Sequence, residues 1–178
     1  GGVVISADEL GHLALEADGE ACAPVVREFG SGILDEGGRI DRRKLAAEVF
    51  GDPDRLELLN SLVHPVVIRR EEELIAQAAA RDPNGIVVME AAILIETGGW
   101  RRFDRLILAV CPMEAQVERA MHRDGITREQ ALMRIARQMP LEEKRKYAHY
   151  VVDTSGAREE TDRQTLAVFQ SLRSIRKV

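Results

Sequence analysis

The sequence has few cysteines and no long apolar segment, and each shortage excludes a class of protein. Only two of the 178 residues are cysteine, and Cys22 and Cys111 show neither a CxxC pair nor the Cys/His spacing of a metal site. Reduced thiols in a cytoplasmic protein are therefore expected rather than a structural disulfide. No stretch approaches the roughly 18 consecutive apolar residues of a membrane span, so we expect no membrane partner.

Strong positive charge and several catalytic signatures are also lacking. The formal net charge of −5 gives no overall attraction to nucleic acid, so an anionic ligand requires a local basic pocket. Neither GxSxG nor a Cys–His nucleophile pattern is present, and no GxxxxGK[ST] phosphate loop occurs. The length fits one domain over residues 1–178, large enough to bury a core without disulfides or metals.

Four short apolar segments are the strand candidates, and helical stretches separate them. They cover residues 3–6, 85–91, 105–110 and 150–154. Nearly continuous apolar runs are typical of parallel strands that are covered on both faces. The sequence therefore predicts an α/β fold with a parallel sheet and flanking helices.

Helices are predicted between these segments. One begins at Pro65, a residue favoured in the first helical turn, and runs over 65–81. Thr127 and Gln130 have the spacing of a capping box and begin another. The predicted helices are 20–29, 42–50, 53–62, 65–81, 112–122, 127–138, 141–148 and 158–175. Because the first two strands are about eighty residues apart, far more than a crossover needs, we expect a helical insertion over 18–81 that holds a substrate.

Three residues at the ends of predicted elements are candidates for chemistry. Asp8 directly follows the first strand, where a carboxylate can accept a proton from a hydroxyl nucleophile or help to hold Mg²⁺. Its alternative role is the N-cap of a helix that begins near Glu9. His64 precedes Pro65 between two predicted helices, so an extended backbone is expected to aim its imidazole from an exposed corner. Glu96 lies at a strand-to-loop transition, where an ordinary loop carboxylate is the alternative.

Four arginines are distributed over residues 112–138. The separations of Arg119 from Arg123 and of Arg134 from Arg137 place each pair on one helical face. Guanidinium groups beside a flexible RDG turn resemble a lid that closes on phosphates, and we predict a lid over 112–146. Solvated surface arginines are the alternative.

Six segments taken in order resemble the dephospho-coenzyme A kinase family over essentially the whole chain. They are VISADELGH, FGSGILDEGGRIDRRKLAAEVFGDP, LLNSLVHP, AAILIE, DRLILAVCPMEAQVERAMHRDGIT and RIARQMPLEEKRKYAHYVVDTSG. The resemblance implies a P-loop kinase fold and transfer of the γ-phosphoryl group of ATP to the ribose 3′-hydroxyl of dephospho-coenzyme A. It also implies ATP and Mg²⁺ as cofactors, small-molecule substrates, no nucleic acid, and a monomer or weak homo-oligomer.

The same resemblance assigns site residues. Asp8 matches the family's catalytic carboxylate beside the 3′-hydroxyl. Substrate binding is expected from a second group of residues, namely Arg43, His64, Pro65 and Glu96. Nucleotide and lid contacts are expected from Arg119, Arg123 and Gln138. Gln116 also matches without an assigned role, whereas Arg134 and Arg137 do not match the family's more constant positions. No protein metal ligand is assigned.

The chain departs from the family at three places. Ser6 stands where the family usually has a first Asp, and Ala92-Ile93-Leu94 replaces a common Pro-Leu-Leu. The family begins with a strand, a glycine-rich loop carrying Lys and Ser/Thr, and a helix, which this sequence does not contain. We expect that the sequence omits an N-terminal part of a longer protein, since loss of a central strand would leave its neighbours unpaired.

Two other functions stay open at this point. One is a kinase-like module that binds coenzyme A or a related nucleotide without turnover. The other is a kinase that acts on a nucleoside monophosphate or another small acceptor.

Overall fold

The structure, a computed structural model, describes residues 1–175. It divides into two compact units, Gly1–Ala91 and the residues from Ala92 onward. Each unit contains one two-stranded parallel sheet with helices around it. The predicted α/β class and the parallel strand pairing are therefore confirmed.

The first unit is organised around strands β1 (Val3–Ser6) and β2 (Val87–Glu90), which pair in parallel along their whole length. Both lie inside predicted strand segments. Helix α1 (Ala7–Ala14) follows β1 without a loop. This abrupt change is possible because the Ser6 hydroxyl accepts the backbone N–H of Glu9 at 3.3 Å and so caps the helix.

Three further helices complete the first unit: α2 (Cys22–Phe29), α3 (Arg42–Val49) and α4 (Pro53–Arg81). Asp41 and Asp52 begin α3 and α4, because each carboxylate accepts two first-turn N–H groups at 2.8 to 3.3 Å. The buried side chains of the unit form one core: Ile5, Leu10, Ala14, Ala21, Val25, Phe29, Ile33, Leu45 and Val67.

Helix α4 differs from its prediction. The sequence predicts separate helices over 53–62 and 65–81 with an extended residue before Pro65, and this is wrong: α4 is one helix of 29 residues with Pro65 inside it. Proline removes one backbone donor and disfavours a helical residue before it. Here packing outweighs that cost, because side chains on both sides of the proline, Leu62, Val63, Val66 and Val67, all contact the core.

The second unit has the same strand–helix–strand plan. Strands β3 (Ile107–Val110) and β4 (Tyr150–Asp153) pair in parallel and confirm the last two predicted strands. The first two helices between them in sequence are α5 (Met113–Asp124) and α6 (Arg128–Ala136). Gly125 ends α5 with a φ of 62°, a left-handed conformation that suits glycine.

Three further elements belong to this unit. A 3₁₀ turn covers Gly99–Arg102, and helices α7 (Leu141–Arg145) and α8 (Arg158–Ser174) flank β4. The predicted capping box is confirmed: Thr127 Oγ1 accepts the N–H of Gln130 at 3.3 Å, and the Gln130 side chain accepts the N–H of Thr127 at 2.9 Å.

One prediction about the strands is wrong in part. Coverage on both faces is expected, yet Val3 and Val4 of β1 are 48% and 66% exposed while Ile5 is buried. The apolar run predicts the strand itself, whereas coverage depends on which elements pack against it, and here α4 contacts β1. The single domain over 1–178, its insertion over 18–81 and its lid over 112–146 remain predictions. In the described part of the chain, no helix has the length and apolar character to cross a membrane.

Candidate active site

Asp8 lies in the first turn of α1, just beyond the carboxyl end of β1, and it is exposed. The N-cap role that was its alternative is wrong, because Ser6 fills that position and accepts the N–H of Glu9. The Asp8 carboxylate therefore does not serve as the N-cap of α1. It stands where the positive end of a helix dipole favours negative charge and where parallel strands end, which is the usual place for ligands.

His12 is a residue of this site that the sequence reasoning missed. It lies four residues after Asp8 and therefore on the same helical face. Desolvation lowers the pKa of His12, and the positive charge of Arg42 lowers it further, while Asp8 acts in the opposite direction. The start of α3 therefore brings a cation to the face of α1 that carries Asp8. The i,i+4 spacing was the available signal.

The predicted acceptor-side residues belong to the same unit as Asp8, apart from Glu96. Arg43 is exposed in the first turn of α3, where its backbone N–H donates to Asp41 at 2.8 Å. His64 and Pro65 are exposed near the middle of α4. Their side chains face solvent and are available to a ligand, and their roles in substrate binding remain predictions.

In the second unit, Arg119 joins α5 to the end of β4. Its guanidinium donates to the hydroxyl oxygen of Thr154 at 3.0 Å and to the carbonyl oxygen of the same residue at 2.6 Å. Thr154 in turn donates its N–H and its hydroxyl to the Val110 carbonyl, at 2.8 and 3.1 Å. The ends of β3 and β4 and one predicted lid arginine are therefore a single hydrogen-bonded group.

A cavity of about 270 Å³ opens at the carboxyl ends of β3 and β4. It is lined by Val110, Cys111, Pro112, Leu141, Arg145, Asp153 and Ser155. The Asp153 carboxylate accepts the hydroxyl and, at 2.8 Å, the N–H of Ser155. These bonds, together with the nearby charge of Arg145, hold the pKa of Asp153 below its usual range. The cavity therefore presents both a cation and an anion at a strand edge that suits ligand binding.

The other predicted lid arginine pairs with an acid at the end of its own helix. Arg123 Nε and Arg134 Nη1 donate to the two oxygens of Asp124, at 2.7 and 2.6 Å. The Arg123 hydrogen bond and the charges of both arginines lower the pKa of Asp124. Arg128 further links α6 to α5 through both oxygens of Glu114. The helix pair α5–α6 is thus held by ion pairs on its exposed surface.

Glu96 and Gln138 meet at a buried lysine. Lys144 donates to Glu96 Oε1 at 2.9 Å and to Gln138 Oε1 at 3.0 Å. Glu96 Oε1 also accepts the N–H of Met139 at 2.8 Å. Burial alone raises the pKa of Glu96, but the hydrogen bonds from Lys144 and Met139 outweigh it and leave the pKa below its usual value. Two residues predicted for different subsites therefore share one network.

Two further contacts had no signal in the sequence pattern. Gln116, which had no assigned role, donates to the Cys111 carbonyl at 3.0 Å and braces the start of α5. Lys144 lies in a charge run that favours a solvated helix face, yet it is 8% exposed. Within residues 1–175, no three His, Cys, Asp or Glu side chains are grouped so that they could hold a metal ion.

Comparison with known proteins places these features in a family. The family model described as dephospho-CoA kinase matches residues 1–160. A dephospho-CoA kinase of Aquifex aeolicus is 40% identical over 172 residues, which is 97% of this chain and 86% of that protein. A dephospho-CoA kinase of Geobacillus kaustophilus is 37% identical over 98% of this chain and 86% of its own length.

Solved structures agree. The crystal structure of TT1252 from Thermus thermophilus has a TM-score of 0.80 and 37% identity, and the match covers 97% of this chain and 85% of that one. A dephospho-CoA kinase from Campylobacter jejuni has a TM-score of 0.65 at 24% identity, covering 97% and 86%, and supports the fold alone. The chain belongs to the dephospho-CoA kinase family, which consists of ATP-dependent phosphotransferases with a P-loop kinase fold.

Proposed function

We propose that Asp8 acts on the acceptor hydroxyl while this kinase transfers the γ-phosphoryl group of ATP to the ribose 3′-hydroxyl of dephospho-CoA. The 3′-hydroxyl proton passes to the Asp8 carboxylate as the new oxygen–phosphorus bond forms. The bond between the γ-phosphorus and its bridging oxygen breaks, and ADP leaves. Family membership supports the reaction, and the exposed carboxylate at the end of β1 supports the role of Asp8.

The position of Asp8 is the observation that carries this proposal. Ser6 caps α1, so the Asp8 carboxylate is not needed as the N-cap of this helix. A base must come within hydrogen-bond reach of the proton that it accepts, which requires an accessible side chain. Asp8 meets this requirement because it is exposed.

Acceptor binding is proposed for Arg43, His64, Pro65 and Glu96. The diphosphate of dephospho-CoA is a dianion at neutral pH, and a guanidinium such as Arg43 can bind it with two parallel hydrogen bonds. The exposed His64–Pro65 pair offers an imidazole donor beside an apolar ring. Glu96 would act from the loop that follows β2, although its Oε1 already accepts two hydrogen bonds.

Nucleotide binding is proposed for Arg119, Arg123 and Gln138 in the second unit. In phosphoryl transfer the charge on the phosphate oxygens is neutralised by positioned cations rather than by covalent chemistry. Arg119 stands at the carboxyl ends of β3 and β4, the edge where ligands bind in open α/β sheets. Arg123 carries an exposed guanidinium, which pairs with Asp124 before ATP arrives.

Mg²⁺ is proposed to enter with ATP. This ion usually retains water and substrate phosphates and needs only one or two protein carboxylates. No protein ligand is assigned to the ion, because the exposed carboxylate of Asp8 is proposed as the proton acceptor. When bound, Mg²⁺ neutralises charge on the transferred phosphoryl group.

We further propose that the protein acts in the cytoplasm as a monomer or weak homo-oligomer. The two cysteines are free, which suits a reducing compartment. Light scattering across a concentration series measures the oligomeric state.

A matched pair of variants tests the proposed function. The purified protein is assayed with ATP, Mg²⁺ and a set of acceptors comprising dephospho-CoA, nucleoside monophosphates and adenosine, and the phosphorylated position is found by NMR. Asp8→Asn should lower kcat by about 10²- to 10⁴-fold with little change in KM, since the proton acceptor is lost. Glu9→Gln, an exposed carboxylate in the same turn, should leave kcat unchanged.

Two results would overturn the proposal. Wild-type protein that binds dephospho-CoA without turnover would support a binding module instead. Preferred phosphorylation of another acceptor would support a different small-molecule kinase.

A further inference from the structure

Lys144 is a buried cation whose hydrogen bonds are all used within the protein. It is 8% exposed, and its ammonium donates to Glu96 Oε1 at 2.9 Å, Gln138 Oε1 at 3.0 Å and the Ala92 carbonyl at 3.0 Å. A lysine ammonium has three donors, so these three acceptors satisfy it. Lys144 therefore has no hydrogen left to offer a phosphate.

Burial of this charge is costly and needs an explanation. A buried ammonium is tolerated only when it is paired and hydrogen-bonded, and an apolar side chain of similar size often serves stability equally well. A buried ion pair is thus a weak source of stability but a specific one. Its geometry fixes which segments lie next to each other.

The acceptors of Lys144 come from two different loops. Ala92 and Glu96 belong to the loop that follows β2, and Gln138 belongs to the loop between α6 and α7. The N–H of Met139 donates to the same Glu96 oxygen at 2.8 Å and adds a second cross-link between the loops. The two loops are therefore joined by one direct hydrogen bond and by the lysine.

The second of these loops is the base of the arginine-bearing helix pair. Helix α6 ends at Ala136, two residues before Gln138, and α5 is bound to α6 by Arg128 and Glu114. The direction in which α6 leaves its base thus depends on where residues 138–144 are held, and Arg134 of α6 shares Asp124 with Arg123 of α5.

We propose that Lys144 is a positioning residue for phosphoryl transfer, which fixes the base of helix α6 to the loop after β2 and so, through the ion pairs between α6 and α5, sets where Arg123 meets the phosphates of ATP. This inference rests on the proposed function, because it assumes that Arg123 binds ATP. Lys144 itself touches neither substrate. Misplacement of about 1 Å away from the reacting atoms can lower a rate by roughly 100-fold, so a positioning role has a large kinetic effect.

The test separates positioning from stability by removing one charge and then both. Lys144→Met leaves the Glu96 carboxylate without its cation, whereas Lys144→Met with Glu96→Gln removes the whole ion pair. The melting temperature, kcat and the KM values for ATP and dephospho-CoA are measured for each. Lys146→Met is the matched control, since Lys146 is an exposed lysine on the same segment that pairs with Glu143.

We expect the single variant to have a lower melting temperature than wild type. Its kcat/KM for ATP should be lower by about 10- to 100-fold. The melting temperature of the double variant should be close to that of wild type. Its kcat/KM for ATP should stay as low as in the single variant. In the single variant, KM for dephospho-CoA should change less than KM for ATP; the double variant also changes Glu96, a residue proposed for acceptor binding, so its KM for dephospho-CoA is not part of the comparison. Lys146→Met should match wild type in every measurement.

Recovery of melting temperature and kcat/KM together in the double variant would overturn the proposal, because Lys144 would then serve stability alone. If Lys144→Met does not fold, Lys144→Gln removes the charge but keeps a polar side chain at the same position, and it supplies the same comparison of KM values. Unchanged kinetics in that folded variant would equally overturn it. Absence of wild-type turnover would instead refute the proposed function, so the two failures are distinguishable.

Discussion

The guanidinium of Arg119 binds Thr154 twice, through the hydroxyl oxygen at 3.0 Å and the carbonyl oxygen at 2.6 Å. This pair joins residues 35 positions apart and connects helix α5 to the last strand. A carbonyl acceptor cannot be removed by substitution, so the arginine is the partner to change.

Arg119→Lys tests whether the fork geometry of this contact is required. Lysine keeps the positive charge but cannot make two parallel hydrogen bonds. We expect kcat/KM for ATP to fall about tenfold, the size of one hydrogen bond to a charged group. Steady-state kinetics at varied ATP provide the measurement. Thr154→Ser, which retains the hydroxyl, is the control and should stay within about twofold of wild type; equal activity of both variants would show that charge alone suffices.

Pro65→Ala is predicted to stabilise the first unit. Pro65 lies inside α4, where proline costs up to about 3 kcal/mol relative to alanine. The free energy of unfolding from urea titration should therefore rise by about 1 to 3 kcal/mol. If the proposed role in acceptor binding is correct, KM for dephospho-CoA rises in the same variant. Pro53→Ala at the first helical position is the control and should gain much less, because proline is well tolerated there.

The charges around His12 can be measured by NMR titration of its imidazole. Desolvation and Arg42 hold the pKa of His12 below 6.5, and Asp8 opposes them. Arg42→Gln should therefore raise this pKa, and Asp8→Asn should lower it further. Arg39→Gln is the control, since Arg39 is paired with Asp35 and does not act on His12. If the pKa of His12 changes in neither Arg42→Gln nor Asp8→Asn, the arrangement of α1 and α3 is contradicted.

The Glu96–Lys144 pair predicts a specific pH dependence of stability. The folded state lowers the pKa of Glu96 from 4.5, so its stabilising contribution is complete above pH 4.5 and is lost as the pH falls through the lowered value. The melting temperature of Glu96→Gln should lie below that of wild type at neutral pH, and the gap should narrow in acid. A gap that stays constant with pH would show that the charge of Glu96 contributes nothing.

Local patterns in the sequence predicted most elements of the fold. Apolar runs located all four strands, and the Thr127–Gln130 spacing predicted the start of α6. Each of these features depends on residues close together in the chain. The prediction of a helix break at Pro65 was wrong because it used only a local preference. Contacts with core residues distant in the sequence outweigh that preference.

The candidate site was predicted less completely. Asp8, His64 and Glu96 follow from their places at the ends of predicted elements, and Arg119 and Arg123 follow from their spacing. The family resemblance added Arg43, Pro65 and Gln138. Lys144 lies in a charged run, which favours an exposed side chain. Its acceptors Ala92 and Glu96 lie about fifty residues earlier, so no local pattern predicts their pairing with Lys144. The Arg119–Thr154 contact was missed for the same reason.

The uninterrupted course of α4 has a consequence for how the first unit can evolve. The same helix contacts β1, α1, α2 and α3 and also carries His64 on its outer surface. A bend introduced to adjust the imidazole would displace side chains inside the core, and a core substitution that tilts the helix would shift the imidazole. Acceptor recognition and the stability of the core are therefore coupled through one helix. Changes in acceptor specificity are expected to come from replacement of outward-facing side chains rather than from changes in the backbone of α4.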